Sequence, residues 1–134
     1  MAAVRADRLD IASSEDVVRV RSLVREAAVS LGFSLVDQTK VVTAASELAR
    51  NALEHGGGGI MILEVLNDGL RRAVRLTFQD RGPGIADIQQ ALKDGYTTGG
   101  GLGLGLGGAK RLSNEFDISS APGQGTRVSI TRWG

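Results

Sequence analysis

The 134-residue sequence contains no cysteine, which excludes disulfide bonds and thiolate metal sites and is compatible with a cytoplasmic protein. It has no excess of either charge, because 16 basic and 15 acidic residues leave a net charge of +1. We therefore expect neither nucleic acid nor a membrane surface as a partner. No apolar run approaches the roughly 18–20 residues that span a bilayer, and the N-terminus lacks the apolar core of a signal peptide. We expect one domain, residues 1–134, and with only 4% aromatic residues its core must be mainly aliphatic.

Glycine, in contrast, is abundant: it makes up 19 of the 134 residues, about twice its usual share of roughly 7%. The glycines concentrate at residues 56–59 and in the run GGGLGLGLGG at residues 99–108. Phosphate-binding loops and flexible linkers both favour glycine, so composition alone leaves the role of this run open.

The hydrophobic periodicity predicts the element order β, α, α, β, β, short α, loop, α, β, β. Hairpins accompany the helices, so we predict an α/β two-layer sandwich whose mixed, largely antiparallel sheet carries its helices on one face. Val41, Ala45, Leu48 and Ala52 form the apolar stripe of the second helix. The predicted strands cover residues 4–11, 60–68, 71–80, 116–120 and 126–133, and the predicted helices cover residues 14–31, 34–55, 85–92 and 104–115.

The segment ELARNALEH, residues 47–55, places Glu47 and Asn51 four residues apart on one face of the second helix. An amide oxygen is a suitable ligand for Mg²⁺, and a carboxylate can accept a proton from a nucleophile. Taken alone, the pair is also typical of a solvated polar face.

The segment DRGPGI, residues 80–85, follows a predicted strand, and its glycines allow close approach of the backbone. Asp80 could accept a hydrogen bond from an exocyclic amine in a pocket. Taken alone, the segment is equally typical of an ordinary turn.

The glycine run at residues 99–108 precedes a predicted helix, where backbone N–H groups can bind phosphate. It is not a P-loop, because Lys110 lies between Ala109 and Arg111 instead of preceding Ser or Thr. The glycines also fit G-x-G-x-x-G, but no strand leads into them. The alternating leucines argue against a solvated linker and indicate a loop that docks on an apolar surface.

Together the segments occur in the order Glu-x-x-x-Asn, Asp-x-Gly-x-Gly, Gly-x-Gly-Leu-Gly-Leu and, at residues 123–126, Gly-x-Gly-Thr. This order resembles the ATP-binding fold shared by gyrase, HSP90, histidine kinases and MutL, over about residues 5–133. The resemblance implies that Asn51 binds Mg²⁺, Glu47 is the general base, and Asp80 binds the adenine amino group with support from Thr126. It also implies that Gly82 and Gly84 belong to the base pocket, and that the phosphate lid contains Gly101, Leu102, Gly103, Leu104 and Gly105.

Within this superfamily, the chain has no room for the helix pair that carries the phosphoacceptor histidine of histidine kinases. We interpret its only histidine, His55, as a residue of the helix end. The segments resemble the bacterial anti-sigma factors and switch-protein serine kinases, above all the switch kinase of the stressosome. The resemblance implies a serine/threonine kinase that uses ATP and Mg²⁺, phosphorylates STAS-domain partners and then binds a PP2C-type phosphatase. An anti-sigma factor that sequesters a sigma factor shares every motif. The presence of Glu47 disfavours a catalytically idle nucleotide sensor.

Overall fold

The computed structural model describes residues 3–93 and 105–134, which form a five-stranded sheet covered on one face by helices. The strands are arranged in the order β1-β2-β3-β5-β4. Along the chain the elements are β1 (Ala3–Ile11), α1 (Ser14–Ser30), α2 (Leu35–Glu54), β2 (Gly59–Asn67), β3 (Arg72–Asp80), α3 (Ile88–Ala91), α4 (Gly105–Arg111), β4 (Glu115–Ser120) and β5 (Thr126–Trp133).

The sheet confirms the predicted two-layer α/β sandwich, but its strand directions differ from the mixed arrangement that was predicted. All four strand pairings between the described residues are antiparallel, so this sheet is not mixed. The reason is the even number of helices between β1 and β2: α1 leads the chain away and α2 brings it back. As a result Ile11, at the end of β1, pairs with Gly59 at the start of β2.

The core lies between the sheet and the helices and is mainly aliphatic, as the low aromatic content predicts. The predicted stripe of α2 is buried, with Val41, Ala45, Leu48 and Ala52 at most 4% exposed. Val41, Ala45 and Leu48 belong to one hydrophobic cluster with inward-facing residues of the central strands, among them Met61, Leu63, Leu76 and Ile130. None of the described helices is both long and apolar enough to cross a membrane.

The ends of α1 and α2 carry residues that ordinarily begin and end helices. Ser13 is the N-cap of α1, and Gly32 ends that helix region with a positive φ of 77°. Ser34 is the N-cap of α2, and its Oγ accepts a hydrogen bond from the backbone N–H of Asp37 at 3.1 Å. The 20 residues of α2 span about 30 Å, so the helix extends from this cap to the opposite end of the sheet.

The two later helices are shorter than predicted. The helix expected at residues 85–92 begins only at Ile88, because Asp87 accepts a hydrogen bond from the Gln90 N–H and is its N-cap. The helix expected at residues 104–115 ends at Arg111, since the chain then enters the sheet. There the Asn114 N–H donates to the Thr131 carbonyl at 2.9 Å, and Glu115 already belongs to β4.

An ion pair joins the first turn of α2 to the last strand. Arg132 Nη2 lies 2.7 Å from Asp37 Oδ1, and both side chains are largely shielded, 15% and 25% exposed. The hydrogen bond from Arg132, assisted by the hydroxyl of Ser34, lowers the pKa of Asp37 below its ordinary value. The pair therefore stabilises the folded state when Asp37 is ionised.

Asp37→Asn should lower the free energy of unfolding by about 1 kcal/mol at pH 7, because the charge-assisted bond becomes a neutral one. Because folding lowers the pKa of Asp37, the ionised carboxylate stabilises the fold at pH values above about 3.9, the ordinary pKa of aspartate. This stabilisation disappears as the pH falls through the pKa of Asp37 in the folded state. Urea unfolding at several pH values should therefore show the two proteins converging in acid. Asp117→Asn, at an exposed carboxylate on β4, is the control. A constant difference down to pH 2 would contradict the assignment.

Candidate functional site

A cavity of about 450 Å³ lies between the C-terminal half of α2 and the adjoining ends of β3 and β5, with α3 and the start of α4 at its rim. It lies at the end of the molecule opposite the Ser34 cap, because α2 runs the length of the sheet. The cavity brings together six of the predicted site residues: Glu47, Asn51, Asp80, Gly84, Gly105 and Thr126.

The α2 wall of the cavity carries Glu47 and Asn51 one helical turn apart, as predicted. The side chain of Glu47 is 14% exposed, and its Oε1 lies 3.3 Å from Nη1 of Arg50. Arg50 also lines the cavity and is 44% exposed. Arg50 belongs to none of the predicted site residues, although its position three residues after Glu47 favours an ion pair between the two on a helix.

The opposite wall is formed by Asp80, at the end of β3. Its Oδ1 accepts a hydrogen bond from the Gly82 N–H at 2.9 Å. The described residues that line the cavity do not include Gly82. Its observed contact is the backbone hydrogen bond that it donates to Asp80. A Cβ on Gly56 would collide with the Asp80 side chain, and one on Gly82 would lie 2.6 Å from Gly56 Cα. The two glycine-containing segments therefore pack backbone against backbone around Asp80.

Ser120, which belongs to none of the sequence motifs, connects the backbone segments next to Asp80 by hydrogen bonds. Its Oγ accepts a hydrogen bond from the Ile85 N–H at 2.8 Å and lies 2.8 Å from both the Gly125 carbonyl and Thr126 Oγ1. Gly84 next to it has a φ of +79°, and a Cβ there would collide with the carbonyl of Ala121. The available signal was alternation, because Ser120 is a polar residue on the core-facing side of β4.

Thr126 pairs with Asp80 across β3 and β5, as its predicted supporting role requires. The hydrogen bond that the structure shows for its hydroxyl is with Ser120, so the support of Asp80 by Thr126 remains a prediction.

The predicted phosphate lid lies largely outside the described residues, and this applies to Gly101, Leu102, Gly103 and Leu104. Gly105 is described: it begins α4, has a φ of +58° and lines the cavity. The lid assignment therefore remains a prediction, with Gly105 placed at the expected edge of the cavity.

The sequence model of the family described as histidine kinase-, DNA gyrase B-, and HSP90-like ATPase matches residues 36–133. The chain belongs to this ATPase family. The predicted superfamily is thereby confirmed, and ATP is the nucleotide that membership implies. The matched range contains every predicted site residue of the ATPase, from Glu47 to Thr126.

Individual relatives of this ATPase agree with the narrower resemblance. The chain is 43% identical over 118 residues to the serine/threonine-protein kinase RsbT of Bacillus subtilis (strain 168), covering 88% of this chain and 89% of that protein. It is 31% identical over 102 residues to the anti-sigma F factor of Bacillus licheniformis, covering 70% of this chain and 68% of that protein. Kinases and anti-sigma factors are thus both among its relatives.

A solved structure shares the fold of the ATPase. The crystal structure of the RsbU and RsbW domains of a Mycobacterium tuberculosis protein superposes with a TM-score of 0.66 at 25% sequence identity. The match covers 96% of this chain and 32% of that chain, so this chain spans about a third of that protein's length.

Ser120→Ala should destabilise the ATPase by about 1–2 kcal/mol, because the Ile85 N–H and the Gly125 carbonyl lose a partly buried partner. Urea unfolding measures the change. Ser119→Ala is the matched control, since Ser119 is exposed on the opposite side of the same strand and should shift stability by less than about 0.5 kcal/mol. Equal stabilities of the two variants would show that the hydrogen bonds of the Ser120 hydroxyl do not stabilise the fold.

Proposed function

We propose that the chain is a cytoplasmic serine/threonine protein kinase that transfers the γ-phosphate of ATP to STAS-domain proteins. The pathway would be a bacterial partner-switching stress response of the stressosome type, in which the chain then binds a PP2C-type phosphatase. The carrying observation is that Glu47, Asn51 and Asp80 meet in one cavity. The 43% identity to the kinase RsbT supports the kinase assignment.

Asp80 is suited to recognise the adenine base. The Gly82 N–H occupies one of its carboxylate oxygens, so the other oxygen can accept a hydrogen bond from the adenine amino group. Apolar side chains such as Phe78, Ile85 and Val128 line the same cavity and can pack against the base.

The residues of the cavity also fit a magnesium ion held together with the nucleotide. The described residues contain no group of three His, Cys, Asp or Glu side chains that could hold a metal by themselves. Mg²⁺ bound to a nucleotide needs only one or two protein oxygens, because phosphates and waters complete its coordination. The Asn51 amide oxygen in the cavity would supply that ligand. When bound, the ion neutralises charge on the phosphates.

Glu47 is placed to act as the general base. In the transfer, the oxygen of a serine or threonine hydroxyl forms a bond to the γ-phosphorus while the bond to the β-γ bridging oxygen breaks and ADP departs. The hydroxyl proton passes to the carboxylate of Glu47. This carboxylate is 14% exposed and lines the same cavity as Asn51, one helical turn away, which supports its action on a hydroxyl near the Mg²⁺-bound nucleotide.

A second candidate function is an anti-sigma factor whose nucleotide cavity controls sequestration of a sigma factor. One observation favours it: the similarity to the anti-sigma F factor of Bacillus licheniformis. In this case the ATP site would regulate binding, and phosphate transfer would be secondary.

Transfer of labelled γ-phosphate to a purified STAS-domain protein tests the proposal. With Mg²⁺ the chain should label serine or threonine of the STAS protein, and a chelator should abolish labelling. A parallel capture assay with a sigma factor tests the alternative. Stable capture of the sigma factor with no labelling of any STAS partner would favour the anti-sigma function over the kinase.

A further inference from the structure

The charged side chains that line the cavity are mainly acidic, although ATP is itself an anion. Four of the described lining residues are carboxylates: Glu47, Glu54, Asp80 and Asp87. Arg50 is the one arginine or lysine among the described lining residues. Because a triphosphate is strongly anionic, a cationic side chain near the phosphates strengthens its binding beyond what Mg²⁺ and backbone N–H groups supply. Within the described part of the wall, Arg50 is the side chain that can supply a guanidinium.

Arg50 is engaged in an ion pair that is easily exchanged. It contacts Glu47 through a single pair of atoms at 3.3 Å, and its side chain is 44% exposed. Ion pairs of this exposed kind contribute little to stability, because water screens them and long side chains lose freedom in forming them. A phosphate carries more charge than one carboxylate and accepts bidentate hydrogen bonds from a guanidinium. The phosphate is therefore the stronger partner for Arg50.

We propose that Arg50 senses the terminal phosphate of ATP by exchanging partners. Arg50 pairs with Glu47 in the structure described here, and on ATP binding it moves to the γ-phosphate and frees the Glu47 carboxylate to accept the hydroxyl proton. ADP lacks that phosphate, so Arg50 stays with Glu47. This inference rests on the proposed nucleotide function of the cavity and adds a residue that distinguishes ATP from ADP. Arg50 and the proposed Mg²⁺ ligand Asn51 both line the cavity.

The affinities of the full chain for ATP and for ADP, measured by calorimetry in Mg²⁺ without a protein partner, test the exchange. Arg50→Gln should weaken ATP binding about tenfold and ADP binding less than twofold, because one charge-assisted contact to the γ-phosphate is lost. Arg50→Lys, which keeps the charge, should recover part of the preference for ATP. Arg25→Gln, at an exposed arginine of α1 outside the cavity lining, should change neither affinity.

A double-mutant cycle examines the link to Glu47. If Glu47 competes with the γ-phosphate for Arg50, Glu47→Gln should raise the ratio of ATP to ADP affinity in the wild-type background and have no such effect beside Arg50→Gln. An ATP-to-ADP ratio that Arg50→Gln leaves unchanged would overturn the inference, whether both affinities fall or neither does. The same holds if Glu47→Gln shifts the ratio equally in both backgrounds. Failure of the wild type to bind either nucleotide would instead overturn the proposed function.

Discussion

Glu47→Gln should bind ATP at least as tightly as the wild type but transfer its γ-phosphate about 100-fold more slowly or worse. Glutamine preserves the size of the side chain and can still accept a hydrogen bond from Arg50, so α2 and the cavity should remain intact. It cannot accept the proton of the attacking hydroxyl. The measurement is single-turnover transfer of labelled phosphate to a STAS-domain partner, alongside ATP binding by calorimetry.

Glu54→Gln is the matched control for this variant. Glu54 lines the same cavity two turns further along α2, so its replacement removes an equal charge without removing the proposed base. Its transfer rate should stay within a few-fold of the wild type. Equal transfer by Glu47→Gln and the wild type would refute the general-base role. A wild type that holds a sigma factor tightly and transfers no phosphate would point to the anti-sigma function.

Asp80→Asn should weaken ATP binding by about 100-fold, which corresponds to about 2.7 kcal/mol. The Gly82 N–H needs an acceptor, so it will hold the oxygen of the new amide and turn the amide NH₂ towards the cavity. An NH₂ group facing the adenine amine places two donors opposite each other. The same NH₂ group can donate to the carbonyl oxygen that guanine carries at that position.

The preference for ATP over GTP is therefore the sharper measurement for Asp80→Asn. We expect it to fall or reverse, whereas Glu54→Gln, which removes a charge elsewhere in the cavity, should leave it unchanged. Equal losses of ATP and GTP affinity would mean that Asp80 supports the cavity without contacting the base. Unchanged ATP affinity would refute the adenine role altogether.

The architecture was predictable because its elements carry strong local signals. The apolar stripe of α2, for example, follows from the sequence of that helix alone, and its predicted burial is confirmed. The start of α3 is fixed by the local cap at Asp87, whereas the end of α4 was not predictable, since a tertiary hydrogen bond follows it. Asn114, for example, bonds to Thr131 in the sheet and so terminates a segment whose local pattern favours a longer helix.

The cavity was predictable only in part, for a related reason. Motif residues such as Glu47, Asn51 and Asp80 were found because their order along the chain resembles a family pattern. Arg50 and Ser120 carried only weak local signals, the spacing from Glu47 for Arg50 and alternation along β4 for Ser120, and neither signal identifies a residue of the cavity. Ser120 bonds to Ile85, which is 35 residues away in sequence, so only the folded chain shows that the two form one wall.

The glycines around Asp80 determine how the specificity of this cavity could be redesigned. Enzymes are often engineered to accept an enlarged nucleotide analogue by shortening a side chain that faces the base. Beside Asp80 stand Gly56 and Gly82, which have no side chain to shorten. An analogue-selective variant can instead gain its space by trimming an apolar lining residue such as Phe78 or Val128, which line the cavity from neighbouring strands.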